Sequence, residues 1–223
     1  MKDFNKYFDH TLLKPEATTQ DILRIVTEAV QYDFAAVCVN GSYVRAVRRF
    51  IDGAGADVKV AAVCGFPLGA MATNAKAYEA QLALEDGAGE IDLVMNIGQA
   101  KAGNWDYIEQ EVEAIAEMCH EDGALLKLII ETCLLTDEEI VKACRCAVNA
   151  GADFVKTSTG FSSGGATAEA VRLMKETVGG RALVKASGGI RTLADARAMI
   201  DAGADRLGCS ASVSIMEEYR TVG

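Results

Sequence analysis

One short junction recurs five times along the chain, each time where an amphipathic stretch gives way to an apolar one. The copies are Ala54-Gly55-Ala56-Asp57, Asp86-Gly87-Ala88-Gly89, Asp122-Gly123-Ala124, Ala150-Gly151-Ala152-Asp153 and Ala202-Gly203-Ala204-Asp205. Glycine there suits the left-handed residue that ends a helix, and the run that follows reads as a strand. The reverse junction is marked as well: Thr18 with Asp21, Thr136 with Glu139 and Thr192 with Asp195 have the spacing of capping boxes that start helices. Helices therefore feed strands and strands feed helices.

Apolar runs that qualify as strands lie at 9–13, 35–39, 58–64, 91–95, 125–130, 154–157, 183–186 and 206–209. Most are continuously hydrophobic, the pattern of parallel strands covered by helices. Strand-helix repeats of roughly 25 to 35 residues predict an α/β fold, a single (β/α)8 barrel spanning 1–223. An open doubly wound sheet is the alternative. Against it, the first strand is not followed by G-x-G-x-x-G, and the chain has no G-x-x-x-x-G-K-[ST].

With 223 residues, half of them apolar, there is material for one substantial core. The chain has two prolines and no Ser/Gly-rich tether, which argues against a linker. The start, Met1-Lys2-Asp3-Phe4, lacks the apolar core of a signal peptide, and no charge-free run is long enough to cross a bilayer. Seven cysteines, an odd number, suit reduced thiols better than a disulfide framework. A cytoplasmic protein is expected, without a membrane partner. The net charge of −10 excludes a basic surface for nucleic acid, while a local basic pocket remains compatible with a small anion.

The chemistry is concentrated in two lysines, each ending an apolar run and each followed by small polar residues: Lys156 in Phe154-Val155-Lys156-Thr157-Ser158-Thr159-Gly160, and Lys185 in Leu183-Val184-Lys185-Ala186-Ser187-Gly188-Gly189. A buried ammonium is rare unless paired. On neighbouring barrel strands the two would repel by about 3 to 4 kcal/mol at ~4 to 6 Å and an effective dielectric of ~20. That is enough to bring one amine toward neutrality and make it a nucleophile for a carbonyl. Lys156, with hydroxyls behind it, is the expected nucleophile, and Lys185 the residue that stays charged. The structural alternative is that they snorkel to the barrel mouth or pair with an internal carboxylate.

Asp92, inside Glu90-Ile91-Asp92-Leu93-Val94, is the carboxylate for the same interior. An opposite charge equidistant from both lysines would cancel their repulsion, so Asp92 is expected nearer Lys185 or acting through a water. Pairing with Lys127 is the structural alternative. Asp9 is a candidate extension of the proton relay. A metal mechanism would need a ligand cluster, and the chain has only His10 and His120. No metal or cofactor is expected. Three loops could hold a phosphate with backbone N–H groups: 160–165, 187–191 and 208–212.

These motifs together resemble the deoxyribose-phosphate aldolases. The likeness rests on Lys156-Thr157-Ser158-Thr159-Gly160 and Lys185-Ala186-Ser187-Gly188-Gly189-Ile190-Arg191-Thr192. It extends through Asp9-His10-Thr11-Leu12-Leu13, Val63-Cys64-Gly65-Phe66-Pro67-Leu68-Gly69, Glu90-Ile91-Asp92-Leu93-Val94 and Lys127-Leu128-Ile129-Ile130-Glu131-Thr132. The resemblance implies a class I aldolase that cleaves 2-deoxy-D-ribose 5-phosphate reversibly to acetaldehyde and D-glyceraldehyde 3-phosphate. It implies Lys156 as the Schiff-base lysine and Asp92 with Lys185 as the proton donor and acceptor pair. Substrate and phosphate contacts would fall on Thr159, Gly160, Gly188, Gly189, Gly208 and Ser210. The chain departs from a common Ser-Ser pair at Ala211, with Ser212 a candidate substitute, and has Phe161 where some members place a lysine. The alternatives are an aldolase for a different keto-sugar phosphate and a non-catalytic phosphosugar-binding barrel. A homo-oligomer is compatible with either.

Overall fold

Eight parallel strands pair in sequence order and close on themselves, β1 against β8, in the computed structural model, which describes residues 3–222. They are β1 (Phe8–Thr11), β2 (Ala36–Val39), β3 (Lys59–Cys64), β4 (Glu90–Val94), β5 (Leu125–Ile129), β6 (Phe154–Lys156), β7 (Leu183–Ser187) and β8 (Arg206–Cys209). Helices α1 (Thr19–Tyr32), α2 (Val44–Ala54), α3 (Thr73–Glu85), α4 (Ile97–Lys101), α5 (Trp105–Glu121), α6 (Asp137–Asn149), α7 (Ala168–Val178), α8 (Leu193–Asp201) and α9 (Ser212–Val222) connect and cover them. The (β/α)8 barrel expected from the sequence is the observed fold. Each expected strand is present with ends shifted by at most two residues. The short α4 ahead of α5 was not anticipated.

The junction signals do what their chemistry dictates. All three capping boxes form. Gly55 closes α2 at φ 62°, and Gly87, Gly123, Gly151 and Gly203 also have positive φ. The longer helices then bury one stripe each. On α2 this is Val44, Val47 and Ile51, and each full burial of such a side chain is worth about 1.5–3 kcal/mol.

Strand alternation sorts the rest. Outward residues such as Val37, Val60, Ile91, Leu126, Val155 and Leu207 join the main core beneath the helices. On β2 and β3 the inward positions are small: Ala36, Cys38, Ala61 and Val63 form a separate cluster with Leu13. That half of the lumen leaves room for the long cations entering from β5, β6 and β7.

Candidate active site

Register brings the charged side chains level. Lys156 pairs with Lys185 across β6 and β7, and Asp92 with Lys127 across β4 and β5. Lys156 is 3 % exposed, while Asp9, Asp92, Lys127 and Lys185 are fully buried. The sequence placed Lys156, Lys185, Asp92 and Asp9 in one site, and the fold brings all four together.

Asp92 is shared. Its Oδ2 lies 2.7 Å from Lys156 Nζ and 2.8 Å from Lys185 Nζ, and its Oδ1 lies 2.7 Å from Lys127 Nζ. The two amino nitrogens are therefore no further apart than the sum of the first two distances, well inside the ~10 Å range of screening. This corrects the expectation that Asp92 sits nearer Lys185. It is practically equidistant, and it also takes Lys127, the pairing considered as an alternative. One negative charge divided among three ammonium groups does not cancel their repulsion.

The two lysines nevertheless differ. Burial is the largest influence on Lys156 and lowers its pKa; Asp92 opposes this, and Lys185 lowers it further. Burial, rather than the neighbouring cation, is thus the main activator. Burial also acts downward on Lys185, but Asp9 and Asp92 outweigh it and hold its pKa above the ordinary lysine range. Lys185 bonds Asp9 Oδ2 as well as Asp92, whereas among the described residues the carboxylate on Lys156 is Asp92 alone. Asp9 itself, despite the upward push of burial, is held well below the usual carboxylate range by Lys185, Arg206 and Lys127.

Two further groups, not singled out from the sequence, complete the network. Glu90 Oε2 lies 2.5 Å from Lys127 Nζ, and Arg206 Nη1 lies 2.6 Å from Asp9 Oδ1 and 3.4 Å from Glu90 Oε1. With Lys156 neutral, three cations (Lys127, Lys185, Arg206) face three carboxylates (Asp9, Glu90, Asp92). The signal was period-two alternation: Glu90 shares the inward face with Asp92, and Arg206 with Gly208.

Above Lys156 opens a cavity of about 440 Å³, lined by Thr159, Gly160, Gly188, Gly189, Gly208 and Ser210 among others. All six proposed substrate and phosphate residues therefore face the same space as Lys156. Close backbone approach explains two of the glycines nearby. A Cβ on Gly165 would lie 2.3 Å from Gly188 O, and one on Gly208 would press on Lys185 Cε at 3.0 Å. Phe161 lines the rim, half-exposed, edge-on to Phe66 at 5.2 Å. Ser212 is no substitute for a serine at 211: it is buried, and its hydroxyl is committed to Cys209 O at 3.1 Å. Lys14 and Arg191 also line the cavity; nothing in their local sequence marks Lys14, which precedes Pro15 in a loop. Cys38 is buried beneath the site, and burial pushes its thiol up. His120, at the end of α5, bonds Asp153 at 3.0 Å. Among the described residues no group of three or more His, Cys, Asp or Glu is placed to hold a metal ion.

A barrel of this topology with this site has close relatives. A protein from Thermococcus gammatolerans named deoxyribose-phosphate aldolase is 56% identical over 218 residues, covering 98% of this chain and 97% of that protein. One of the same name from Finegoldia magna is 54% identical over 215 residues, covering 96% and 99%. Among solved structures, an aldolase designated QR15 superposes with a TM-score of 0.92 at 43% identity, covering 99% of this chain and 97% of that one. The deoxyribose phosphate aldolase from Aeropyrum pernix, described as a tetramer, does so with 0.91 at 34%, covering 98% and 92%. The family model for DeoC/LacD aldolases matches residues 4–215, and by that match and these identities the chain belongs to the DeoC/LacD family of aldolases.

Proposed function

We propose that the chain cleaves 2-deoxy-D-ribose 5-phosphate reversibly to acetaldehyde and D-glyceraldehyde 3-phosphate, with Lys156 as the covalent nucleophile. The names of its relatives support the substrate. The observation that carries the mechanism is the asymmetry of the lysine pair. Lys156 is buried with a lowered pKa, and Lys185, on the same carboxylate oxygen, has a raised one.

The neutral Lys156 amine adds to the aldehyde carbon, and loss of water leaves an iminium. Removal of the proton from the hydroxyl two carbons away breaks the carbon–carbon bond between them. The bonding pair flows into the iminium and yields an enamine, while D-glyceraldehyde 3-phosphate departs. Protonation of the enamine carbon and hydrolysis release acetaldehyde and restore the amine. Asp92, 2.7 Å from the Lys156 nitrogen, and the charged Lys185, held on the same Asp92 oxygen, are the groups that would pass these protons. Asp9 holds Lys185 and extends the relay. Gly188, Gly189, Gly208 and Ser210 receive the phosphate through backbone N–H groups and a hydroxyl, with Thr159 and Gly160 lining the same cavity.

Free thiols at all seven cysteines, and no helix among the described residues able to cross a membrane, support a cytoplasmic enzyme. The tetrameric Aeropyrum pernix relative supports a homo-oligomer. The test is to incubate the protein with acetaldehyde and borohydride and read peptide masses. A reduced two-carbon adduct on Lys156 is expected. Unchanged mass, or a ketose phosphate that traps far better than acetaldehyde, would overturn the assignment.

A further inference from the structure

Glu131 has a backbone and a burial that do not suit a glutamate. Its φ and ψ are 56° and 65°, the left-handed region that favours glycine and asparagine. It is 1 % exposed, yet among the described residues no cation lies within ion-pairing distance of its carboxylate. Strain of this kind persists where the surroundings over-determine it, and it clusters at functional sites.

What the carboxylate holds is Thr159. The Thr159 backbone N lies 3.3 Å from each Glu131 oxygen, and the Thr159 hydroxyl donates to Oε2. A hydroxyl has one proton and two lone pairs. The proton goes to Glu131, one lone pair receives Phe161 N–H at 3.1 Å, and Thr159 lines the cavity above Lys156. One acceptor position is left on a residue that lines the cavity. Without Glu131 the same hydroxyl could turn and donate.

We infer that Glu131 is a positioning residue that fixes the Thr159 hydroxyl as an acceptor only, so that the site selects acceptor aldehydes carrying a hydroxyl next to the carbonyl. The carbonyl oxygen of the incoming aldehyde has no proton to give, so the group that satisfies Thr159 is the neighbouring O–H. A site built to pair a substrate hydroxyl rejects the analogue that lacks it, because its own buried polar group is then left unpaired. This inference rests on the aldolase reading above and goes beyond it by naming what sets acceptor choice.

The experiment compares Glu131→Gly with the parent enzyme in the synthetic direction. Acetaldehyde is the donor, and the acceptors are D-glyceraldehyde 3-phosphate and its 2-deoxy analogue, 3-oxopropyl phosphate. Glycine fits the left-handed backbone without strain, which offsets part of the cost of the lost Thr159 bonds, so the variant is expected to fold. Glu131→Asn, which tolerates the same backbone but is too short to reach Thr159, serves as the second variant. The parent is expected to favour the hydroxylated acceptor in kcat/KM, and the variants to lose at least tenfold of that preference. Borohydride trapping of acetaldehyde on Lys156 should be unaltered in both. Rates that fall equally for the two acceptors, or that do not fall, would overturn the role of Glu131. Failure of trapping in the parent would instead overturn the aldolase reading itself.

Discussion

Lys156 Nζ sits 2.7 Å from Asp92 Oδ2, and the same oxygen reaches Lys185 at 2.8 Å. Lys156 and Lys185 are thus coupled through one atom. Asp92→Asn would remove the proton acceptor and leave the Lys127 and Lys185 ammonium groups and the Lys156 amine sharing a neutral amide. Cleavage is expected to slow by roughly 10²- to 10⁴-fold, the range for a lost general acid or base. Stability should drop by about 3–5 kcal/mol, as when one partner of a buried ion pair is removed. The retro-aldol rate and a denaturant melt measure the two effects; a rate within tenfold of the parent would take Asp92 out of proton transfer.

Burial lowers the Lys156 pKa most, and Lys185 adds to it in deciding where activity is lost in acid. Lys156 must be neutral to attack, so the rate falls as pH drops through its lowered pKa. The groups bearing on it are Asp92, which raises that pKa, Lys185, which lowers it, and the Cys38 thiol, which raises it. Replacing Lys185 by methionine removes the lowering cation, so the acid limb of kcat/KM should move to higher pH. The pH dependence of borohydride trapping reports the same shift on the amine directly. An unmoved limb would mean that burial alone tunes Lys156.

Activation of Lys156 has a stability consequence of definite sign. Its folded pKa lies below the ordinary 10.5, so the unfolded chain binds more protons across the interval between the two values, and stability rises with pH there. The buried amine therefore costs most at and below its folded pKa, and nothing above 10.5. Lys156→Met is expected to raise Tm near neutrality, by roughly 2–4 °C if the gain is about 1 kcal/mol. The difference should shrink as the melts are repeated toward pH 10.5, and a variant less stable than the parent at neutral pH would refute it.

The barrel and its working face were legible in the sequence because helix ends, capping boxes and continuous apolar strands are local signals that tertiary packing did not contradict. Lys156 and Lys185 stood out for the same reason: a charge at the end of a buried run is visible without coordinates. The position of Asp92 was not legible. Reasoning with two lysines and one carboxylate demanded an asymmetric placement, whereas Lys127, Glu90 and Arg206 supply further charges that permit a central one. Glu131 was visible only as part of the run from Lys127 to Thr132, and its left-handed backbone leaves no trace in the residue type. Lys14 reaches the cavity only because the β1–α1 loop folds over it.

Lys14 and Arg191 are the cations other than Lys156 lining the cavity, and neither side chain is tied up in an ion pair among the described residues. Backbone N–H groups orient a phosphate, but on a chain of net charge −10 local cations must offset the repulsive surface. Hydrogen bonds to charged groups contribute about 1.5–3 kcal/mol, so Lys14→Ala and Arg191→Ala should each raise KM for the phosphorylated sugar by roughly tenfold or more. KM for unphosphorylated deoxyribose should stay put. Equal effects on both sugars would show that these residues shape the cavity rather than read the phosphate.

Outside the lumen, a second buried ion pair fixes the strand that carries Asp92. Lys76 on α3 meets Glu111 on α5 at 2.8 Å, both side chains fully buried, and its ammonium also bonds Val94 O at 2.9 Å, two residues beyond Asp92. Thr73 Oγ1 bonds the other Glu111 oxygen at 3.0 Å. Glu111→Ala strands a buried cation, so a loss of about 3–5 kcal/mol is expected, read as a Tm drop of roughly 6–20 °C. The paired replacement Lys76→Met with Glu111→Leu should recover most of that loss, because apolar groups of similar volume need no partner. Its kcat should still fall, since β4 loses the bond at Val94. Thermal melts of the single and double variants, with cleavage rates on the double, decide it: a Glu111→Ala protein as stable as the parent would show that the pair does not anchor β4.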